Sequence, residues 1–125
     1  MITASELHAE LAHCYGSESH YQHWLGIRYS EGVKTLTEKG ECPWLLDEIA
    51  SYQQARIIKC NPNLQEFQLW MLTVNPDQSA VLNCYEDSPS TCSPVITQEI
   101  PFTDFPLLEM KLYVEYGVVL LPSEH

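Results

Sequence analysis

The side chains best suited by type and spacing to do chemistry lie on one short segment, Pro43–Gln53. Trp44, Asp47 and Ser51 stand three and four residues apart, so they share one face if the segment is helical. A carboxylate, a hydroxyl and a ring held together could form an acid–base site, with His23 as a further candidate. The alternative is that Asp47 and Ser51 are simply solvated on the outer face of a helix.

Motifs that would strengthen a catalytic interpretation are absent from the sequence. It contains no Gly-x-Ser-x-Gly elbow, no phosphate-binding loop and no His-Glu-x-x-His pair. We therefore predict no catalytic residues and favour a non-enzymatic protein. A small enzyme or ligand-binding protein with a pocket near Trp44 and Asp47 stays open as the alternative.

A histidine-rich stretch raises the question of a metal site. His13, Cys14, His20 and His23 lie within eleven residues, and imidazole and thiolate are zinc ligands. Structural zinc sites pair closely spaced ligands twice over, whereas here only His20-x-x-His23 has that spacing. We predict solvent-exposed histidines, no metal site and no cofactor.

The five cysteines are odd in number, scattered and without a Cys-x-x-Cys pair. This pattern predicts reduced, packed thiols and an intracellular protein, with a Cys84–Cys92 disulfide as the less favoured alternative.

Charge is the most unusual property of the chain. Six Lys and Arg against 17 Asp and Glu give a formal charge of −11. The half after residue 60 contains a single base, Lys111, so direct nucleic-acid binding is not expected. An acidic surface can bind a basic protein, block a nucleic-acid-binding surface, or only keep a protein soluble.

The length and hydropathy of the chain indicate its number of domains and whether it spans a membrane. With 125 residues, 45% of them hydrophobic, the chain is expected to form one domain over residues 1–125. No apolar run approaches the roughly 18 residues of a membrane span, and the start lacks the features of a signal peptide. We expect no membrane association and a cytoplasmic location.

Helix signals dominate the first half. Thr3-x-x-Glu6 is a capping box that predicts a helix ending near Tyr15-Gly16. Ser30 is expected to cap a second helix that Gly40 ends. Pro43 begins a third, whose continuation to Lys59 is allowed until Asn61-Pro62 breaks it. The alternation within Tyr21–Tyr29 favours one short strand.

From residue 66 the period changes to two, which predicts strands. The fold class is therefore α+β, with N-terminal helices packed on a mainly antiparallel sheet of about five strands. The predicted strands are Phe67–Val74, Ser79–Tyr85, Val95–Phe102, Leu107–Tyr116 and Val118–Leu121.

The first of these strands is apolar on both faces, so two assignments stay open. If Phe67, Leu69 and Met71 pack under the helices, then Gln68 and Trp70 share the other face with alternate residues of the fourth strand. In the reverse assignment Trp70 is core. The first assignment gives an acidic, aromatic binding surface and predicts self-association or capture of a basic protein. Its predicted binding residues are Gln68, Trp70, Glu99, Glu109, Tyr113 and Glu115, beside Trp44, Asp47 and Ser51 on the helix.

Four ordered motifs carry a resemblance to a known family. They are Trp-Leu-Leu-Asp-Glu-Ile-Ala-Ser-Tyr-Gln (44–53), Phe-Gln-Leu-Trp-Met-Leu-Thr-Val (67–74), Thr-Asp-Phe-Pro-Leu (103–107) and Leu-Leu-Pro-Ser-Glu (120–124). With them the chain resembles an uncharacterised bacterial family of small proteins of unknown function over nearly its whole length. The resemblance implies no activity, ligand or site.

Overall fold

A computed structural model describes residues 3–11, 20–23, 26–40, 42–87, 93–103, 105 and 108–122. Within them the fold is α+β, as predicted, with helices on one face of a sheet. The helices are α1 Ala4–Leu11, α2 Glu31–Lys39, α3 Pro43–Tyr52, α4 Arg56–Lys59 and α5 Pro62–Glu66. The strands are β1 His20–Gln22, β2 Arg28–Ser30, β3 Phe67–Val74, β4 Ala80–Tyr85, β5 Ile96–Ile100, β6 Glu109–Glu115 and β7 Val118–Leu120.

The described strands form one mixed sheet in the order β1-β2-β7-β6-β3-β4-β5. All neighbouring strands pair antiparallel except β2 and β7, which pair parallel. The expected sheet of about five mainly antiparallel strands was therefore too small and missed the parallel pair. The five strands predicted after residue 66 do form its larger part, with β3 at the predicted bounds.

The difference arises in the segment predicted as one strand, Tyr21–Tyr29. It folds into the β1–β2 hairpin, in which the His23 backbone N–H donates to the Ile27 carbonyl at 2.7 Å. Gly26 adopts φ +102° in the turn, a conformation that side-chain-bearing residues rarely adopt. Strands of only three residues give little alternation, so the sequence did not reveal two of them.

The predicted helix signals hold at α1 and α2. Glu6 N–H donates to Thr3 Oγ1 at 3.2 Å, and Val33 N–H donates to Ser30 Oγ at the start of α2. Gly40 follows the last turn of α2, where an added Cβ would lie 2.8 Å from the Leu36 carbonyl oxygen. The predicted end of the first helix, near residue 15, lies outside the described residues.

Helix α3 is shorter than the allowed continuation to Lys59. Pro43 occupies its first turn, and the helix ends at Tyr52, before a turn that leads into α4. Asn61 then accepts backbone hydrogen bonds at the start of α5, a helix that we did not predict. Pro62 at its first position is compatible with a helix start as well as a break, and the sequence alone does not separate the two.

The main core lies between the helices and the inner face of the sheet. Each described helix contributes buried residues to this cluster, including Leu7, Leu36, Ile49, Ile58 and Leu64. On α3 the four aliphatic side chains Leu45, Leu46, Ile49 and Ala50 are all buried. None of the described helices is long and apolar enough to cross a membrane.

Candidate functional site

The two faces of β3 have different neighbours, and the structure decides the assignment that the sequence left open. Gln68, Trp70 and Leu72 are each 1% exposed and lie on the inner face, paired in register with alternate residues of β6. Gln68 and Trp70 were therefore wrongly placed with Tyr113 on the outer face, and they are not available to a partner. The reverse assignment, with Trp70 in the core, is confirmed.

Polar atoms explain why these large side chains face inward. The amides of Gln53, the residue directly after α3, and of Gln68 on β3 donate to each other's side-chain oxygens, both at 2.8 Å. Gln68 also donates to the Leu64 carbonyl, and it accepts the Trp70 indole N–H at 2.8 Å. Every buried polar atom in this chain of contacts has a partner, so burial carries no unsatisfied donor.

The outer face of the sheet, which we term the open face, is rich in apolar side chains. Cross-strand register places on it alternate residues of β3, β6 and β7: Phe67, Leu69, Met71, Tyr113, Val118 and Leu120. Val81 and Tyr85 extend it across β4. These eight residues stand apart from the main core cluster, to which every described helix contributes. Leu69 and Tyr85 are buried, at 5% and 9% exposed, and the other six are half-buried, so the face offers partly accessible apolar side chains that no described helix covers.

Charges of both signs surround this apolar centre. The register places two cations, Arg28 and Lys111, and three carboxylates, Glu99, Glu109 and Glu115, on the open face. Both cations are exposed, as are Glu99 and Glu109, and none of these four side chains forms a salt bridge with a described residue. The open face is thus nearly charge-balanced, although the whole chain carries −11.

The candidate acid–base group on α3 lies on the opposite side of the sheet. The buried His23 ring donates from Nε2 to Asp47 Oδ1 at 2.6 Å, which joins the β1–β2 turn to α3. Asp47 remains half exposed, with 56% of its side chain accessible. A histidine–carboxylate pair can relay a proton, but it needs a nucleophile or a substrate within reach.

The other members of that group do not complete a site. Ser51 Oγ donates to the Glu48 carbonyl of its own helix at 3.0 Å, and Trp44 packs half-buried against the core. Clefts of about 390, 350 and 320 Å³ that are lined by described residues lie elsewhere, and Trp44, Asp47 and Ser51 line none of these three. Among the described residues, the pair forms a contact between the β1–β2 turn and α3.

Metal-ligand and thiol chemistry also find little geometric support. Among the described residues no group of three His, Cys, Asp or Glu side chains is arranged to hold a metal. His13 and Cys14 lie outside the described residues, as does Cys92 of the alternative disulfide. Cys42, Cys60 and Cys84 are free thiols, and burial raises the pKa of Cys42 and of Cys84 to about 12. A thiol so protonated is a poor nucleophile.

The nine predicted binding residues therefore fall into three places. Four lie together on the open face, namely Glu99, Glu109, Tyr113 and Glu115. Three lie on α3, and two are buried between the layers. Sequence reasoning missed the apolar members of the open face on β3 and β7. The missed signal is that Gln and Trp carry polar atoms that require partners, which favours the helix-covered face for Gln68 and Trp70.

The chain belongs to a family of unknown function, DUF6876, which matches residues 5–125. This confirms the expected membership of an uncharacterised family, while its bacterial origin and the diagnostic value of the four motifs stay predictions. No curated protein and no solved structure matches the chain. The function must therefore be inferred from the geometry of the molecule.

Proposed function

We propose that this member of a family of unknown function is a non-enzymatic protein-binding module, and that a partner docks on the open face. The observation that supports this most is the apolar centre that no described helix covers, on the three adjacent strands β3, β6 and β7. Protein interfaces commonly combine an apolar centre that includes aromatic rings with a polar rim. Phe67 and Tyr113, whose ring centroids lie 5.3 Å apart, supply the aromatic part.

The partner has a defined chemistry on this proposal. It presents an apolar patch surrounded by charges of both signs, because the rim of the open face contains two cations and three carboxylates. A purely basic partner is favoured by the net charge of the chain at long range, but it would meet Arg28 and Lys111 on docking. Like charges in contact across an interface disfavour binding.

A pair of substitutions on the open face tests the proposal. Met71→Lys with Val118→Glu places charges in the apolar centre and leaves the net charge unchanged, and both positions are half-exposed. The matched control is Ile57→Lys with Ser51→Glu, at exposed positions on the helical side. Each variant is used as bait, in parallel with the wild-type chain, for quantitative capture of proteins that include an untagged copy of the chain.

We expect the control to capture what the wild type captures and the open-face variant to lose it, because a buried charge without a partner is costly. Oxidative footprinting of the captured complex should show protection of Met71 and Tyr113. Equal capture by all three baits, with no protection of these side chains, would contradict a binding role for the open face.

A further inference from the structure

We propose that the partner docked on the open face is a second copy of this chain. This inference rests on the proposed function and names the partner for the same surface. Two copies related by a two-fold axis present the same patch to each other, so a self-complementary surface must contain both members of each contact. The open face meets that requirement in both its apolar and its charged parts.

The charges provide the strongest support. Arg28 and Lys111 lie on the same face as Glu99 and Glu109, and no salt bridge joins any of the four to a described residue. In an isologous pair the cations of one copy can lie against the carboxylates of the other, and the reverse contact follows by symmetry. A chain with a net charge of −11 repels its copies, and a surface whose own charge is nearly balanced adds little to that repulsion at the contact.

The dimensions of the open face also suit a pair of sheets. Six strands from β2 to β5, three to eight residues long, give a footprint of roughly 500 Å² at about 4.8 Å spacing and about 3.4 Å per residue. Stable interfaces bury roughly 800 Å² of accessible surface on each partner, so the open face would form most of a small interface of this kind. Two sheets that pack face to face in this way, about 10 Å apart, form a sandwich across the interface.

Charge exchange between two variants tests this pairing directly. Arg28→Glu with Lys111→Glu leaves five carboxylates and no cation among the five charged positions of the open face. Glu99→Lys with Glu109→Lys leaves four cations and one carboxylate. The control pair places the same charge changes on the helices, with Lys39→Glu and Arg56→Glu in one chain and Glu48→Lys and Glu66→Lys in the other. Thermal unfolding of each variant checks that the fold is kept, as expected for substitutions of surface charges.

Light scattering at about 100 µM protein measures the mass of each species. At this concentration a binding free energy of several kcal/mol is enough for pairing. We expect the wild type to have twice the 14.3 kDa mass of one chain. Each open-face variant should be monomeric alone, and an equimolar mixture of the two should recover the dimer mass. Each helix-side control should dimerise alone, since its open face is unchanged.

Three results would overturn the inference. They are a monomeric wild type at this concentration, dimers of both open-face variants alone, and a mixture that stays monomeric. A monomeric wild type would leave the protein-binding role standing if the Met71→Lys, Val118→Glu bait still lost a different captured protein with the footprint expected for the open face. The two proposals therefore fail separately.

Discussion

The inner and open faces of the sheet are both apolar, yet they differ in how their side chains are satisfied. On the inner face Trp70 and Gln68 have polar side-chain atoms, and each of these atoms has a hydrogen-bond partner in Gln53, in the Leu64 carbonyl of α5 or in the other side chain. On the open face Leu69 and Met71 have none to satisfy. On β3 the side chains of Gln68 and Trp70 thus lie on the helix-covered face, where hydrogen-bond partners for their polar atoms are found.

Adjacent residues on β3 give the largest expected contrast. Leu72→Ala on the inner face should cost about 2–5 kcal/mol of unfolding free energy, because it opens a cavity in a packed core. Met71→Ala on the open face should cost under about 1 kcal/mol by itself, since a half-exposed side chain loses little packing. Urea unfolding of the two variants measures both values. Similar costs at the two positions would remove the distinction between the faces.

The amide pair gives the next contrast. Gln68→Leu removes the acceptor of the Trp70 indole and two of the three hydrogen bonds of the Gln53 amide, leaving the one to the Ile49 carbonyl, so it should cost about 1–3 kcal/mol although Leu is more apolar. Gln53→Leu combined with Gln68→Leu should cost less than the sum of the single changes, because no amide is then left facing an apolar neighbour. The measurement is a double-mutant cycle in urea. Strictly additive costs would mean that the pair does not couple α3 to the sheet.

Most of the larger elements could be predicted from the sequence, because their signals are local. Capping at Ser30, the stop at Gly40 and the alternation of β6 each depend on residues a few positions apart. The parallel pairing of β2 with β7 could not be predicted, since it joins three-residue strands whose paired residues lie 90 positions apart. The β1–β2 hairpin could not be predicted either, because its strands are equally short.

The residues of the candidate site could likewise be predicted only where the signal lies within one strand. The open-face positions Glu109, Tyr113 and Glu115 follow from the alternation of a single strand. Assigning Phe67, Leu69 and Met71 to the same face needs the register between β3 and β6, and a register shifted by one residue reverses every assignment. The contact of His23 with Asp47 was suggested only as a neighbourhood, because 24 residues separate them.

The buried thiol of Cys84 on the inner face should make stability depend on pH in the alkaline range. Burial, with a smaller effect of Glu86, raises the pKa of Cys84 on the inner face from 9.0 to about 12. The folded state therefore binds the Cys84 proton more tightly than the unfolded state does. This difference stabilises the folded state fully below pH 9, and the stabilisation is lost as the pH rises from about 9 toward 12. The loss should approach about 1.4 kcal/mol per pH unit for this thiol.

Two cysteine variants isolate this effect from other groups that titrate in the same range. Cys84→Ala should flatten the decline of unfolding free energy between pH 9 and pH 10.5, whereas Cys60→Ser, at an exposed position, should leave the decline as in the wild type. Urea unfolding at a series of pH values measures it. If the unfolding free energy declines equally with pH in all three proteins, the Cys84 thiol is not kept from water on the inner face.

The tie between His23 and Asp47 should have a smaller effect, because Asp47 is half exposed. Asp47→Asn keeps the size of the side chain and removes its charge, and we expect a loss of about 0.5–1.5 kcal/mol. Ser51→Ala on the same helix is the control and should change stability by less than about 0.5 kcal/mol. Thermal unfolding distinguishes them. Equal stability of Asp47→Asn and wild type would mean that the contact does not hold the hairpin on α3.

Two methionines allow the most direct test that the open face is where copies of the chain meet. Met71 lies on the open face and Met110 on the inner face, and both are half-buried. Peroxide converts exposed methionine to its sulfoxide, so the rate at each position reports its access to solvent. Raising the protein from about 1 µM to about 100 µM should slow oxidation of Met71 severalfold, as the dimer forms, and leave Met110 unchanged. A Met71 rate that does not depend on concentration would contradict pairing through the open face.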